Sequence, residues 1–292
     1  MIPQRNLSLL SNRLARKGGR RIPEAILERD YCLSWFLVGL SRTILRDILA
    51  FKGGTAIKKC YIPDYRFSED LDFSLRKEFP FEHIRDQIEA AFKYTEQASG
   101  IRLNISRIDA NTHLNTHLNT HLNTHLNTHT LFVGYEGPLP GVTGKEVKVD
   151  ITIRERLVFP IEPRQVLKAY EEYTDFPDDA VIGVYTLHEI SAEKIVAIFD
   201  QARNEPRDLY DLWHLVSHNF LKLEELIDAV KEKMNFRDKD LENTRQIFIR
   251  KEARLKKLWK TRLTSQMAEL PEFDQVYRRM LREFRQARFW DE

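Results

Sequence analysis

The chain has 292 residues, 42% hydrophobic and 31% charged, with a net charge of only +2. That supports one large domain or two modest lobes with a real core, and it excludes a histone-like or acidic-tail protein. Cys32 and Cys60 lie far apart with no CxxC or zinc spacing, so they read as reduced thiols of an intracellular protein. The N-terminus lacks the apolar core of a signal peptide, and the longest apolar patch, Cys32 to Leu40, is too short to span a bilayer. A cytoplasmic location and no membrane partner are expected.

Residues 1–21 are basic and partly helical in pattern. Pro23 suits a first helical turn, and the apolar residues that follow, up to Ala50, recur at helical spacing, which predicts one or two helices. A short strand runs into Lys52, Gly53 and Gly54, and a helix starts at Thr55. Ser68–Leu75 alternates like a strand, and Phe81–Gln97 is an amphipathic helix that Gly100 stops. Arg102–Ile108, Leu131–Tyr135 and Glu146–Ile153 read as strands. Beyond Pro160 the pattern turns helical and stays so, with candidates at Thr186–Ala202, Pro206–Val216, Leu223–Met234, Lys239–Leu263 and Phe273–Gln286. The expected organisation is an α/β lobe over residues 1–160 and a helical lobe over residues 161–292.

Asp70 and Asp72 are two apart, so on a strand their side chains point the same way. Two carboxylates on one face repel unless a cation lies between them, and hard oxygen ligands suit Mg²⁺ or Mn²⁺. In EVKVDITI, Lys148, Asp150 and Thr152 share the face opposite the apolar residues. If that strand lies beside the first, Asp150 completes a three-carboxylate cluster able to hold two metals for in-line phosphoryl chemistry. Gly53-Gly54 followed by a helix start at Thr55 would present unobstructed N–H groups to phosphate. A lone DxD or GG means little, but the order of strand, GG-T, helix, S-x-D-x-D strand and later Asp is more specific. Further along, Lys194 lies in a helical stripe with Ile190 and Ile198, as an edge-of-core lysine or as a cation facing phosphates. Asp208 falls in the first turn of a helix opened by Pro206.

This order resembles that of the polymerase-β-like nucleotidyltransferases. FKGGTAIKKCY followed by RFSEDLDF resembles the AbiEii toxin family, which includes the MenT toxins. Glu205-Pro206-Arg207-Asp208-Leu209-Tyr210-Asp211 after Lys194 resembles the family's later stretch, with glutamate replacing a basic residue before the proline. The resemblance implies an α+β fold, with a small mixed sheet in a nucleotidyltransferase lobe and then an all-helical lobe. It implies that Gly53, Gly54 and Thr55 bind phosphate, that Ser68 sits beside the acids, and that Asp70 and Asp72 are metal ligands. Asp150 would be a third ligand or general base. Arg66 would reach the phosphates or brace the acids. Lys194 would contact the triphosphate, with Asp208 or Asp211 as the functional acid. The implied activity is Mg²⁺- or Mn²⁺-dependent transfer of NMP from an NTP to an acceptor such as a tRNA 3′ end, in a toxin–antitoxin or phage-defence system with a cognate antitoxin. A nucleotide- or RNA-binding partner without turnover, and NTP-dependent modification of protein including Ser68, are the alternatives.

The family pattern does not contain NTHLNTHLNTHLNTHLNTHT, residues 111–130, a four-residue unit repeated five times with Thr130 in place of the last leucine. As a helix it would line up His113, His117, His121, His125 and His129 for Zn²⁺ or Ni²⁺; as a strand, Thr and Leu would take one face and Asn and His the other. The plainer expectation is an in-frame expansion tolerated in a loop between two strands. Lys251–Arg262 carries six basic residues and one acid, and reads as a solvated face or as a cradle for RNA.

Overall fold

One mixed sheet is built from strands β1 (Leu49–Lys52), β2 (Leu71–Leu75), β3 (Arg102–Ile108), β4 (Thr128–Glu136), β5 (Glu146–Thr152), β6 (Ile161–Gln165) and β7 (Val181–Tyr185), with apolar residues alternating most plainly in β5. Their spatial order is β3-β4-β5-β2-β1-β7-β6. The structure, a computed structural model, describes residues 1–16, 20–109, 128–141, 144–239 and 241–290. It divides into two compact units, Met1–Glu155 with Ile161–Val184, and Arg156–Pro160 with Tyr185–Glu292.

In the first unit, one sheet face is apolar. Leu71, Phe73, Val147, Val149, Ile151, Leu131 and Val133 are buried on it, and Phe51 packs on Phe73 with ring centroids 5.1 Å apart. The helices of this unit are α1 (Gln4–Arg16), α2 (Glu24–Ser41), α3 (Leu45–Ile48), α4 (Gly53–Cys60) and α5 (Phe81–Ser99). α5 ends at Gly100, which takes the left-handed conformation (φ 76°) that closes a helix without Cβ strain. The apolar patch at Cys32–Leu40 lies within α2, which is buried on nearly every side, and no described helix is long and apolar enough to cross a membrane. Buried charges on α2 are paired, as they must be in a poorly solvated core. Asp30 pairs with Lys59 of α4 at 2.7 Å, and Glu28 pairs with Lys145 at 2.9 Å while accepting from the Leu139 N–H at 2.7 Å.

Three expectations need correction. The chain does not turn wholly helical after Pro160, because β6 and β7 return it to the sheet. VIGVY in β7 is a short apolar run beside β1, where periodicity cannot separate strand from helix. β6 (IEPRQ) has the proline and charges of an edge strand. Second, β2 starts at Leu71, so Asp70 precedes the strand rather than lying on it. Third, β4 starts inside the repeat: Thr128, His129 and Thr130 are strand, not loop. His129 is buried against Phe81, with ring centroids 4.4 Å apart, and its neighbours on either side take the other face. His113, His117, His121 and His125 lie outside the described residues.

The second unit is built from α6 (Leu187–Phe199), α7 (Pro206–Ser217), α8 (Ile227–Phe236), α9 (Thr244–Leu263) and α10 (Phe273–Gln286). Thr186 caps α6, its hydroxyl accepting from the Glu189 N–H at 3.1 Å. Glu189 is fully buried, pairs with Lys233 at 2.7 Å, and accepts from the N–H groups of Val158 and Phe159, which fastens residues 156–160 to this unit. α9 and α10 meet through Phe248 and Tyr277, stacked at 4.8 Å. Of the basic run in α9, Lys251 is internal and donates to the carbonyls of Ile198 and Asp200; burial pulls its pKa down to about 8. Lys256 pairs with Asp274 at 2.8 Å. Arg254, Lys257, Lys260 and Arg262 remain exposed.

Candidate active site

Strand register sets the acids. β5 runs parallel to β2 with Asp72 opposite Asp150, and β1 runs antiparallel on the other side of β2 with Lys52 opposite Asp72. β4 pairs with β5 so that Thr130 is opposite Asp150. Residues opposite one another share a sheet face, with strands about 4.8 Å apart. The face opposite the apolar core therefore carries one polar row across four strands: Thr130, Asp150, Asp72, Lys52. Two neighbouring carboxylates destabilise a sheet unless cations or donors offset them. Here Lys148 Nζ donates to Asp150 Oδ2 at 2.6 Å and Thr130 Oγ1 donates to Asp150 Oδ1 at 2.7 Å. The Lys148 contact follows from i, i+2 spacing on one strand face.

The glycine turn abuts this row. β1 passes directly into α4 at Gly53, whose φ is +78°. A Cβ there would lie 2.7 Å from Asp72 Oδ2, so the residue type is set both by backbone conformation and by the approach of the acid. The Thr55 hydroxyl is buried and donates to the Asp70 carbonyl at 2.5 Å, which fixes the backbone of the first acid just before β2. The two lysines of GGTAIKKC are structural. Lys59 is the buried partner of Asp30. Lys58 donates to the carbonyls of Pro63 and Tyr65 and to the Tyr170 hydroxyl, and lies 4.4 Å from the Phe67 ring centroid; burial pulls its pKa down to about 8. It thereby shapes the segment that carries Arg66, Ser68 and Asp70. Arg66 is buried and donates to the Phe67 carbonyl at 3.2 Å, while Ser68 and Asp70 are half-buried.

The second unit holds a separate charge cluster. Lys194 pairs with Asp208 at 2.7 Å and with Asp211 at 2.9 Å, and Arg203 pairs with Asp208 at 2.6 Å. Burial pushes the Asp208 carboxyl up, but Lys194 and Arg203 outweigh it and hold the pKa at about 2. Both acids at issue in the sequence therefore bind the same lysine. Glu205, where the motif departs from a basic residue, caps α7 by accepting from the Arg207 N–H at 3.3 Å and pairs with the Arg207 side chain at 3.1 Å. Gly53, Gly54, Thr55, Arg66, Ser68, Asp70, Asp72 and Asp150 thus belong to the first unit, and Lys194 and Asp208 to the second.

Lys52, Lys148 and Thr130 were not singled out in the sequence as parts of the site. Lys148 was legible as a same-face neighbour of Asp150, and Thr130 as the residue that breaks the repeat. Among the described residues, no three His, Cys, Asp or Glu side chains form a ready metal cluster. The acids that the sheet sets side by side, with Asp70 just upstream, are nevertheless all-oxygen donors of the kind that Mg²⁺ or Mn²⁺ takes.

The family model described as nucleotidyl transferase AbiEii toxin of a type IV toxin–antitoxin system matches residues 35–279. Two solved structures share the fold. MenT4, a nucleotidyltransferase toxin from Mycobacterium tuberculosis H37Rv, is 18% identical with a TM-score of 0.59, covering 97% of this chain and 90% of its own. A candidate nucleotidyltransferase from H. pylori is also 18% identical, with a TM-score of 0.55, covering 91% of this chain and 96% of its own. No curated protein sequence matches the chain.

Proposed function

The chain belongs to the AbiEii nucleotidyl transferase toxin family, and from that premise we propose that it moves an NMP from an NTP to an acceptor hydroxyl at the polar row of its sheet. The observation that carries this reading is the register pair Asp72–Asp150 beside Gly53, the first residue of α4. The acceptor oxygen forms a bond to the α-phosphorus, the bond from that phosphorus to the bridging oxygen breaks, and pyrophosphate leaves.

Asp70, Asp72 and Asp150 would hold the divalent cation, Mg²⁺ or Mn²⁺, which when bound neutralises phosphate charge and eases ionisation of the acceptor hydroxyl. The chain's own groups supply the rest. The N–H groups at Gly53, Gly54 and Thr55, at the positive end of α4, suit phosphate oxygens. Asp150, steadied by Lys148 and Thr130, serves as a further ligand or accepts the proton of the acceptor hydroxyl. Arg66 and Ser68 lie on the segment that leads into the acids. Lys194 and Asp208 are assigned to triphosphate binding and its orientation on the strength of the family motif.

We extend the reading to an RNA acceptor, with the tRNA 3′ end as the leading case, because Arg254, Lys257, Lys260 and Arg262 form an exposed basic stretch on α9. A cognate antitoxin, a role in phage defence and action in the cytoplasm complete the proposal. The test is transfer from α-phosphate-labelled NTPs, one base at a time, to total tRNA with Mg²⁺, alongside Asp70→Ala. Label in RNA that vanishes in the variant supports the proposal. Label on the protein instead favours self-modification, and full transfer by Asp70→Ala refutes the assignment.

A further inference from the structure

The repeat and the site meet at one residue. Every earlier unit places leucine after histidine, at Leu114, Leu118, Leu122 and Leu126. The last unit places Thr130 there, and that position is the one whose strand register puts it opposite Asp150. Its hydroxyl donates to Asp150 Oδ1 at 2.7 Å while Lys148 holds the other oxygen. A leucine at 130 would keep the strand and the face but remove the donor. From this we infer that Thr130 is a positioning residue for the nucleotidyl transfer, orienting the Asp150 carboxylate, and that the repeat ends where the site begins.

β4 is described from Thr128 on, with His129 opposite Ile151 and Thr130 opposite Asp150, so gain or loss of a whole four-residue unit ahead of Thr128 leaves the residues that pair with β5 unchanged. The repeat number can change without changing what the strand presents to the acid. An insertion of one residue next to Thr130 would turn the hydroxyl to the core face.

The inference rests on the nucleotidyltransferase reading, and the experiment separates the two. Steady-state transfer of labelled NMP to total tRNA is measured for wild type, Thr130→Val, Thr130→Leu, Thr130→Ser and Asp150→Asn, with thermal unfolding of each. Loss of a hydrogen bond to a charged group predicts a fall in kcat of about tenfold or more for Thr130→Val and Thr130→Leu. KM for the NTP and the unfolding temperature should stay near wild type, and Thr130→Ser should restore kcat. Wild-type kcat in Thr130→Val and Thr130→Leu, with Asp150→Asn inactive, overturns the role of Thr130 and leaves the enzyme reading standing. A loss that tracks a lowered unfolding temperature and is not rescued by serine also overturns it, as a purely structural effect. Full transfer by Asp150→Asn, or none by wild type, overturns the underlying reading and the inference with it.

Discussion

The two units solve the same electrostatic problem in opposite ways. In the first, the sheet sets the carboxylates Asp72 and Asp150 side by side, with Lys52 at one end of the row and Lys148 beside Asp150. These acids are partly open to solvent, the Asp150 side chain at 24% exposure. In the second, Lys194 sits between Asp208 and Asp211, which are 3% and 0% exposed. The first arrangement puts acids within reach of an incoming cation or nucleotide. The second seals its acids behind their own lysine. Acids of the first kind are candidates for chemistry, while those of the second kind also hold the fold, so the same substitution has different meanings in the two places.

That contrast can be broken by measurement. The largest effect is expected for Lys194→Met, which leaves two buried carboxylates without their shared cation and should cost about 3–5 kcal/mol in urea unfolding. Adding Asp211→Asn should recover part of the loss. Unchanged stability in the single variant would mean that the cluster is not structural. Asp72→Asn should do the reverse, lowering nucleotide transfer by about 10²- to 10³-fold while leaving unfolding unchanged or slightly improved, because a like-charge neighbour is removed. A stability loss comparable to that of Lys194→Met would erase the distinction.

Acidification gives a smaller effect with a definite sign. Asp208 has a folded pKa near 2, below the usual carboxylate value of about 3.9, so its stabilisation is present above that value and lost as pH falls toward 2. Over that range Asp208→Asn should lose about 2 kcal/mol less than wild type, followed by denaturation at stepped pH. A flat wild-type profile between pH 4 and 2 would contradict the pairing. The smallest effect concerns the repeat. Deleting one unit, Asn111–Leu114, should change stability by about 0.2 kcal/mol, since the cost of closing a chain connection grows only logarithmically with length. A larger shift would show that the repeat does more than deliver Thr128–Thr130 to the sheet.

Sequence legibility followed physical locality. Helix α5, its Gly100 stop, β3 and α10 were readable because period and punctuation are local. β6 and β7 were not, since a five-residue run carries too little periodicity and its identity depends on the β1 neighbour. The alternation of EVKVDITI gave the face of Asp150, but the sequence could not say which strands would flank it. Register therefore supplied both Asp72 and Thr130. Asp70 lies just before the strand, where its carbonyl accepts from Thr55, a long-range bond that no strand pattern encodes. The oddness of Lys194 in an apolar stripe was visible, but the sharing of that lysine by Asp208 and Asp211 was not. The repeat misled at its end because low-complexity composition hid a short stretch of ordinary strand.

The approach of Gly53 to Asp72 also predicts how such a gene decays. Two constraints hold position 53, the positive φ and the carboxylate 2.7 Å from where a Cβ would stand. A lineage that loses the acid at 72 relaxes the second constraint. Residues tolerant of left-handed backbone, asparagine above all, then become admissible at 53. Co-variation of the two positions among descendants would show that the carboxylate at 72, and not backbone conformation alone, holds glycine at 53.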